Sequence, residues 1–182
     1  MNPVVALLST HMPGWAGKVA LGVLLRATAR AFGCPAPSLA RLSADECLLQ
    51  YAQFTQGRVA GLLRDGADLP AVQERLYRNA YQLGRACKWL SCVGNVQDAM
   101  ALGRALYRLL DIEFQGDEEG VVVSRCYFSR FYSGQVCQVM SAMDQGLLAG
   151  LSDGRQLAFS ARITGGQAQC RARWNARKDS RT

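Results

Sequence analysis

Cys126, Cys137 and Cys170 are the residues of this chain whose types and placing could do chemistry together, and Asp144 stands near them in sequence. The first two flank an aromatic run, Tyr127, Phe128, Phe131 and Tyr132, within RCYFSRFYSGQVCQVMSAMDQG (residues 125–146). Thiolates are soft ligands that suit zinc, with water able to take an open position where the protein supplies three. The spacing, Cys-x10-Cys-x32-Cys, matches no finger, contains no Cys-x-x-Cys and offers no fourth ligand. It fits equally three small apolar residues in a core, where unpaired cysteine is common. Asp144 follows Cys137 by seven residues, two helical turns, so the pair shares a helix face but is separated by about 10 Å along the axis. That suits a base or acceptor above a metal, or a capped or salt-bridged carboxylate, better than a joint ligand. A thiol in the first turn of a helix, as at Cys137, is expected to have a lowered pKa. The aromatic run, with Met140 on the following helix, would line an apolar ligand pocket, a plain core or a dimer face.

Helices and hairpins must position these residues. Residues 16–32 carry apolar positions at helical spacing, with Lys18, Gly22, Arg26 and Arg30 stepping down one side. Such a helix faces a core or lies on an anionic membrane, the former being much the commoner arrangement. Gly33, Pro35 and Pro37 end it. SADE (43–46) is a capping box that predicts a helix to about Leu63, closed by RDGAD. Pro70 suits the first turn of a helix carrying Leu76, Tyr77, Ala80, Leu83, Gly84 and Cys87, and Asn95 caps another over about 96–111. The period then changes. IEFQGDEEGVVVSRCYF reads as a β-hairpin, Ser133 caps a helix, and RQLAFSARITGGQAQCRARW reads as a second hairpin. In that second hairpin Leu157, Phe159, Ala161 and Ile163 share one face, as do Ala168, Cys170, Ala172 and Trp174. The predicted fold is α+β: N-terminal helices followed by a β-hairpin–helix–β-hairpin unit whose antiparallel sheet is covered by helices. One domain spans 1–174, with a helical part over 1–66 and the hairpin-bearing core over 67–174, ahead of a basic flexible tail, 175–182.

Composition narrows the function. At 182 residues, 49% hydrophobic and 19% charged, the chain can bury a substantial core. Of its net charge of +7, five cations set against Asp179 place +4 in the last dozen residues, which reads as a solvated tail. No RNA-binding motif with an aromatic platform is present, so no nucleic-acid partner is predicted. Seven cysteines without a secretory signal point to a reducing cytoplasm. Charges interrupt every apolar stretch, so no membrane span is predicted. His11 is the single histidine, which argues against a Ser-His-Asp or Cys-His arrangement. GCP (33–35) reads as a helix stop, Cys87 and Cys92 have no ligand spacing, and GGQ (165–167) reads as a turn.

RCYFSRFYSGQVCQVMSAMDQGLLAGL together with FSARITGGQAQCRARW resembles the bacterial 2-aminothiazoline-4-carboxylate hydrolase-like family, and is distantly similar to the 4-vinyl-reductase small-molecule-binding domain. The matching residues are Cys126, Cys137, Asp144, Gly146, Gly150, Gly166 and Cys170. The resemblance spans about residues 70–174. It implies an α+β module acting on, or binding, a small cyclic molecule, either as a hydrolase opening a cyclic amidine or as a non-catalytic sensor. It also implies a zinc site at Cys126, Cys137 and Cys170, with Asp144 as the catalytic proton carrier. Sensor members of the second group use a helix Cys, an acid and two cysteines eight apart. Cys137 and Cys170 match the outer pair, while Phe159 stands in place of the acid and Arg162 in place of the first late Cys.

Overall fold

A computed structural model describes residues 5–6 and 14–175. The His11 loop and the basic residues 176–182 of the expected tail lie outside the described residues. Among the described residues five α-helices and a four-stranded antiparallel sheet make up an α+β fold. The helices are α1 (Gly14–Phe32), α2 (Ala44–Arg64), α3 (Leu69–Leu90), α4 (Val96–Arg108) and α5 (Gly134–Leu151); the strands are β1 (Ile112–Gly116), β2 (Gly120–Cys126), β3 (Leu157–Ala161) and β4 (Cys170–Trp174).

Local chemistry sets the boundaries. Ser43 and Glu46 form the full capping box of α2, the Ser43 N–H donating to Glu46 Oε2 at 2.7 Å. Asp68, Asn95 and Ser133 each accept from an amide in the first turn of the helix that follows, satisfying donors the helix cannot. Helix α4 stops at Arg108, short of the expected residue 111, because Asp111 adopts φ 52° and turns the chain into β1. No helix among the described residues is long and apolar enough to cross a membrane.

The sheet order is β1-β2-β4-β3. Helix α5, the connection between the hairpins, lies over its inner face. Ile112, Phe114, Val121, Leu157 and Ala172 point inward and are buried. Each hairpin contains a β-bulge. Between β1 and β2 the register moves from Glu113↔Arg125 to Phe114↔Val123, leaving Ser124 without a partner. Between β3 and β4 it moves from Phe159↔Ala172 to Ala161↔Arg171. A bulge inserts one residue and so exchanges the faces of everything beyond it. Strict alternation predicts Ala161 and Ile163 on the inner face; the bulge instead pairs Ala161 with the exposed Arg171 and turns Arg162 inward. The first bulge does the same for Cys126, which pairs with the buried Ile112.

Helix α5 is buried over most of its length and packs against α3 with backbones in close approach. A Cβ at Gly146 would land on the Tyr77 carbonyl oxygen, one at Gly150 on that of Tyr81, and one at Gly84 on that of Leu147. Three glycines from two helices thus make one seam that fixes the height of α5 above the sheet.

Candidate functional site

Two adjoining cavities, of about 60 and 100 Å³, lie between α5 and the inner face of the sheet. Tyr107, Ile112, Cys126, Cys137, Ser141 and Asp144 belong to the walls of both. Phe159, Arg162 and Cys170 complete the smaller cavity, and Tyr51, Phe128, Tyr132 and Met140 the larger. A more voluminous depression, about 880 Å³, sits on the uncovered face of the sheet among Glu113, Arg171 and Arg173. Its walls carry many charged side chains, among them Arg104, Arg171 and Arg173, whereas the inner cavities combine apolar walls with a few converging polar groups, the pattern of a small-molecule site.

Asp144 is the polar centre. It projects from α5, half-buried, and Oδ1 accepts from the Tyr107 hydroxyl at 2.7 Å. Burial pushes its carboxyl up to about 6, while the Tyr107 hydrogen bond and the Arg162 charge pull it down. Burial dominates, as expected for a carboxylate removed from water without a contact ion pair. Tyr107 is itself 3% exposed and stacked on Phe114, with centroids 4.7 Å apart. Its phenol is raised well above the usual range by burial and then by the Asp144 charge, so it stays protonated and donates. The other two phenols have partners of their own. Tyr51 shares a hydrogen bond with Thr28, whose hydroxyl also donates to the Leu24 carbonyl, and Tyr132 meets Thr55 in the same way.

Arg162 enters from the opposite side. Its Nη2 donates to Ser141 Oγ at 3.2 Å, and the Ser141 hydroxyl in turn donates to the Gln138 carbonyl. The guanidinium rests on the Phe159 ring, 4.8 Å from its centroid, a cation–π arrangement. Among the described residues the buried Arg162 Nε has no hydrogen-bond partner. An unsatisfied buried donor is unfavourable by about 1–3 kcal/mol, so Nε offers a place for a ligand acceptor.

Cys126, Cys137 and Cys170 all border the smaller cavity, from a strand end, a first helical turn and a strand start. They are free thiols. The helix N-terminus does not lower Cys137 as expected: burial pushes it up, with the Thr164 hydroxyl and Arg162 charge opposing. Burial likewise pushes Cys126 up to about 12, against the amides of Phe128 and Ser129, and raises Cys170, which accepts from the Ile163 amide at 3.4 Å. Among the described residues no group of three or more His, Cys, Asp or Glu side chains could hold a metal ion. The Arg162 guanidinium lines the same cavity as the three thiols, and its fixed charge opposes a second cation there.

Of the aromatic run, Phe128 and Tyr132 reach the larger cavity together with Met140. Tyr127 and Phe131 do not. They pack on each other at 5.3 Å, with the Arg130 guanidinium 4.3 Å from the Tyr127 centroid. Periodicity misses Tyr107, Ser141 and Arg162, of which the resemblance alone marks position 162. Tyr107 sits among leucines on an amphipathic helix and reads as core, and Arg162 falls on the outer face unless the bulge is known.

No family model matches the chain, and neither the curated proteins nor the solved structures contain a match.

Proposed function

We propose that the chain is a small-molecule-binding module whose inner cavities hold a compact, single-ring ligand. What carries this reading is the pair of β-bulges, which turn Cys126 and Arg162 onto a cavity that already contains the Asp144–Tyr107 pair. Bulges that re-aim side chains are over-represented next to functional sites. Size limits the ligand. A dry cavity of about 150 Å³ accepts benzene, and the two adjoining cavities, of about 60 and 100 Å³, together approach that volume. The ring would lie among Phe128, Met140 and Ile112, a donor or cationic nitrogen would face Asp144, and an acceptor would take the Arg162 Nε. Native mass spectrometry of protein purified gently from cells tests this. A co-purifying organic mass below a few hundred daltons supports it, and its absence together with no thermal shift from a library of single-ring compounds refutes it.

The state of Asp144 favours a second reading. A buried carboxyl brought up to about 6 is matched to proton transfer near neutral pH. In a hydrolase acting on a cyclic amidine such as 2-aminothiazoline-4-carboxylate, water adds to the amidine carbon and Asp144 takes one of its protons. The carboxyl returns that proton to the ring nitrogen as the C–N bond breaks, and the remaining hydroxyl proton passes to the released amine as the carbonyl forms. Arg162 would hold the substrate's acceptor, and no step needs a metal. Incubation with aminothiazoline carboxylate, followed by mass spectrometry for a gain of one water, separates the readings: ring opening abolished in Asp144→Asn supports catalysis, and no opening above buffer leaves binding alone.

A further inference from the structure

We infer that the outer face of α1 is a docking surface for an anionic phospholipid bilayer. The helix is two-sided. Leu21, Leu25, Thr28, Ala29 and Phe32 are buried in the core. On the opposite side Trp15, Val19 and Val23 stand one turn apart with 68, 55 and 37% of their surface exposed. Single exposed apolar residues need no explanation, but three aligned at i, i+4 and i+8 form a stripe. Beside it runs a second exposed stripe, Lys18, Arg26 and Arg30, and α1 contains no acidic residue. Glu46, the acid whose charge interacts with Lys18, is engaged at the Ser43 amide in the capping box. A groove of about 550 Å³ runs along this face between Lys18, Arg26 and residues 36–39, leaving room for lipid headgroups.

Helix α3 packs beside α1. Its Arg75 donates to the Ala31 carbonyl and its Asn79 to that of Ala27, so it runs antiparallel to α1. Its last turn, with Trp89 79% and Leu90 69% exposed, is therefore directed toward the Trp15 end.

The charges select the occupant. A two-fold contact on this face would bring together two surfaces that each carry Lys18, Arg26 and Arg30 with no acid on α1 to pair them, which costs affinity. Tryptophan flanked by Lys and Arg on a helix lying flat is the composition of a bilayer interface, where the indole sits at headgroup level and cations meet lipid phosphates.

The test is sedimentation with vesicles of phosphatidylcholine alone and with about one-third phosphatidylglycerol. Each Lys or Arg at an anionic surface contributes roughly five- to tenfold, so binding to the mixed vesicles should be on the order of a hundredfold tighter. It should be lost at about 0.5 M salt. Trp15→Ser/Val19→Ser/Val23→Ser and, separately, Lys18→Ser/Arg26→Ser should each abolish most of it, with folding verified by circular dichroism. Brominated acyl chains should quench tryptophan emission in the wild type, Trp15→Phe should reduce the quenched component, and Trp15→Phe/Trp89→Phe should remove it. Three results would each overturn the inference: equal binding to both vesicles, binding unchanged in both variants, or a dimer of the wild type that the apolar triple variant dissociates.

Discussion

The Tyr107 hydroxyl, on α4, donates to Asp144 Oδ1, on α5, at 2.7 Å across the wall shared by the two inner cavities. This bond ties the helix before the first hairpin to the helix between the hairpins, and it holds a carboxyl that burial has pushed up to about 6.

Stability should therefore fall as pH rises through that region. An unfolded Asp titrates near 4, so between about pH 4 and 6 the folded chain holds more protons than the unfolded one. The slope of unfolding free energy with pH is negative there. The penalty is complete above pH 6 and is on the order of 3 kcal/mol, since each tenfold change in proton affinity is worth about 1.4 kcal/mol. Asp144→Asn keeps an acceptor for Tyr107 without the charge. It should unfold at higher urea than wild type at pH 8 and coincide with it at pH 4. Parallel curves at the two pH values would show that Asp144 is solvated.

Tyr107→Phe removes the largest influence holding the Asp144 carboxyl down. Its pKa should rise above 6, read from the carboxyl carbon shift by NMR, with stability lower by about 2 kcal/mol at pH 8. Little should change at pH 4, where the carboxyl is neutral in both proteins. Stacking of residue 107 on Phe114 survives the substitution, so a loss equal at both pH values would mean the hydroxyl contributes packing alone.

Much of this fold is legible in the sequence because helix ends are written locally. Ser43, Asn95 and Ser133 each stand one residue before a helix, and the Gly33 and Gly66 stops have φ near +65°. Cys126, Cys137 and Asp144 are also legible as neighbours, since a strand end, a first helical turn and a position two turns on follow from periodicity. The bulges are not. An extra residue at Ser124 or around Ser160 leaves composition and spacing unchanged, and only pairing with the adjacent strand reveals it. That is why strict alternation puts Arg162 in solvent and hides its place in the cavity.

The glycine seam between α3 and α5 makes a separate claim about packing. Gly146→Ala would drive its Cβ onto the Tyr77 carbonyl oxygen and against Ala80. Backbone cannot move aside as a flexible side chain does, so the loss should reach about 3 kcal/mol, roughly a 10 °C fall in midpoint for a chain of this size. Gly61→Ala, in α2 with open space at its Cβ, is the control and should be neutral or slightly stabilising. Equal effects of the two would mean that α5 is free to shift away from α3.

Alkylation kinetics test the state of the cavity thiols. Cys126, brought up to about 12, holds almost no thiolate at pH 7.5, whereas an unperturbed cysteine near 8.5 holds about a tenth. Iodoacetamide should modify Cys126 roughly a thousandfold more slowly than it modifies a small free thiol, with Cys137 and Cys170 also retarded, as resolved by peptide mass spectrometry. Unfolding in guanidinium should remove the difference. A zinc thiolate centre would also slow all three thiols, but it would release one equivalent of zinc to a mercurial reagent as they react. Retardation without zinc release is the outcome expected of three protonated thiols facing Arg162, and ready alkylation of Cys126 at pH 7.5 would show that the cavity is open to water.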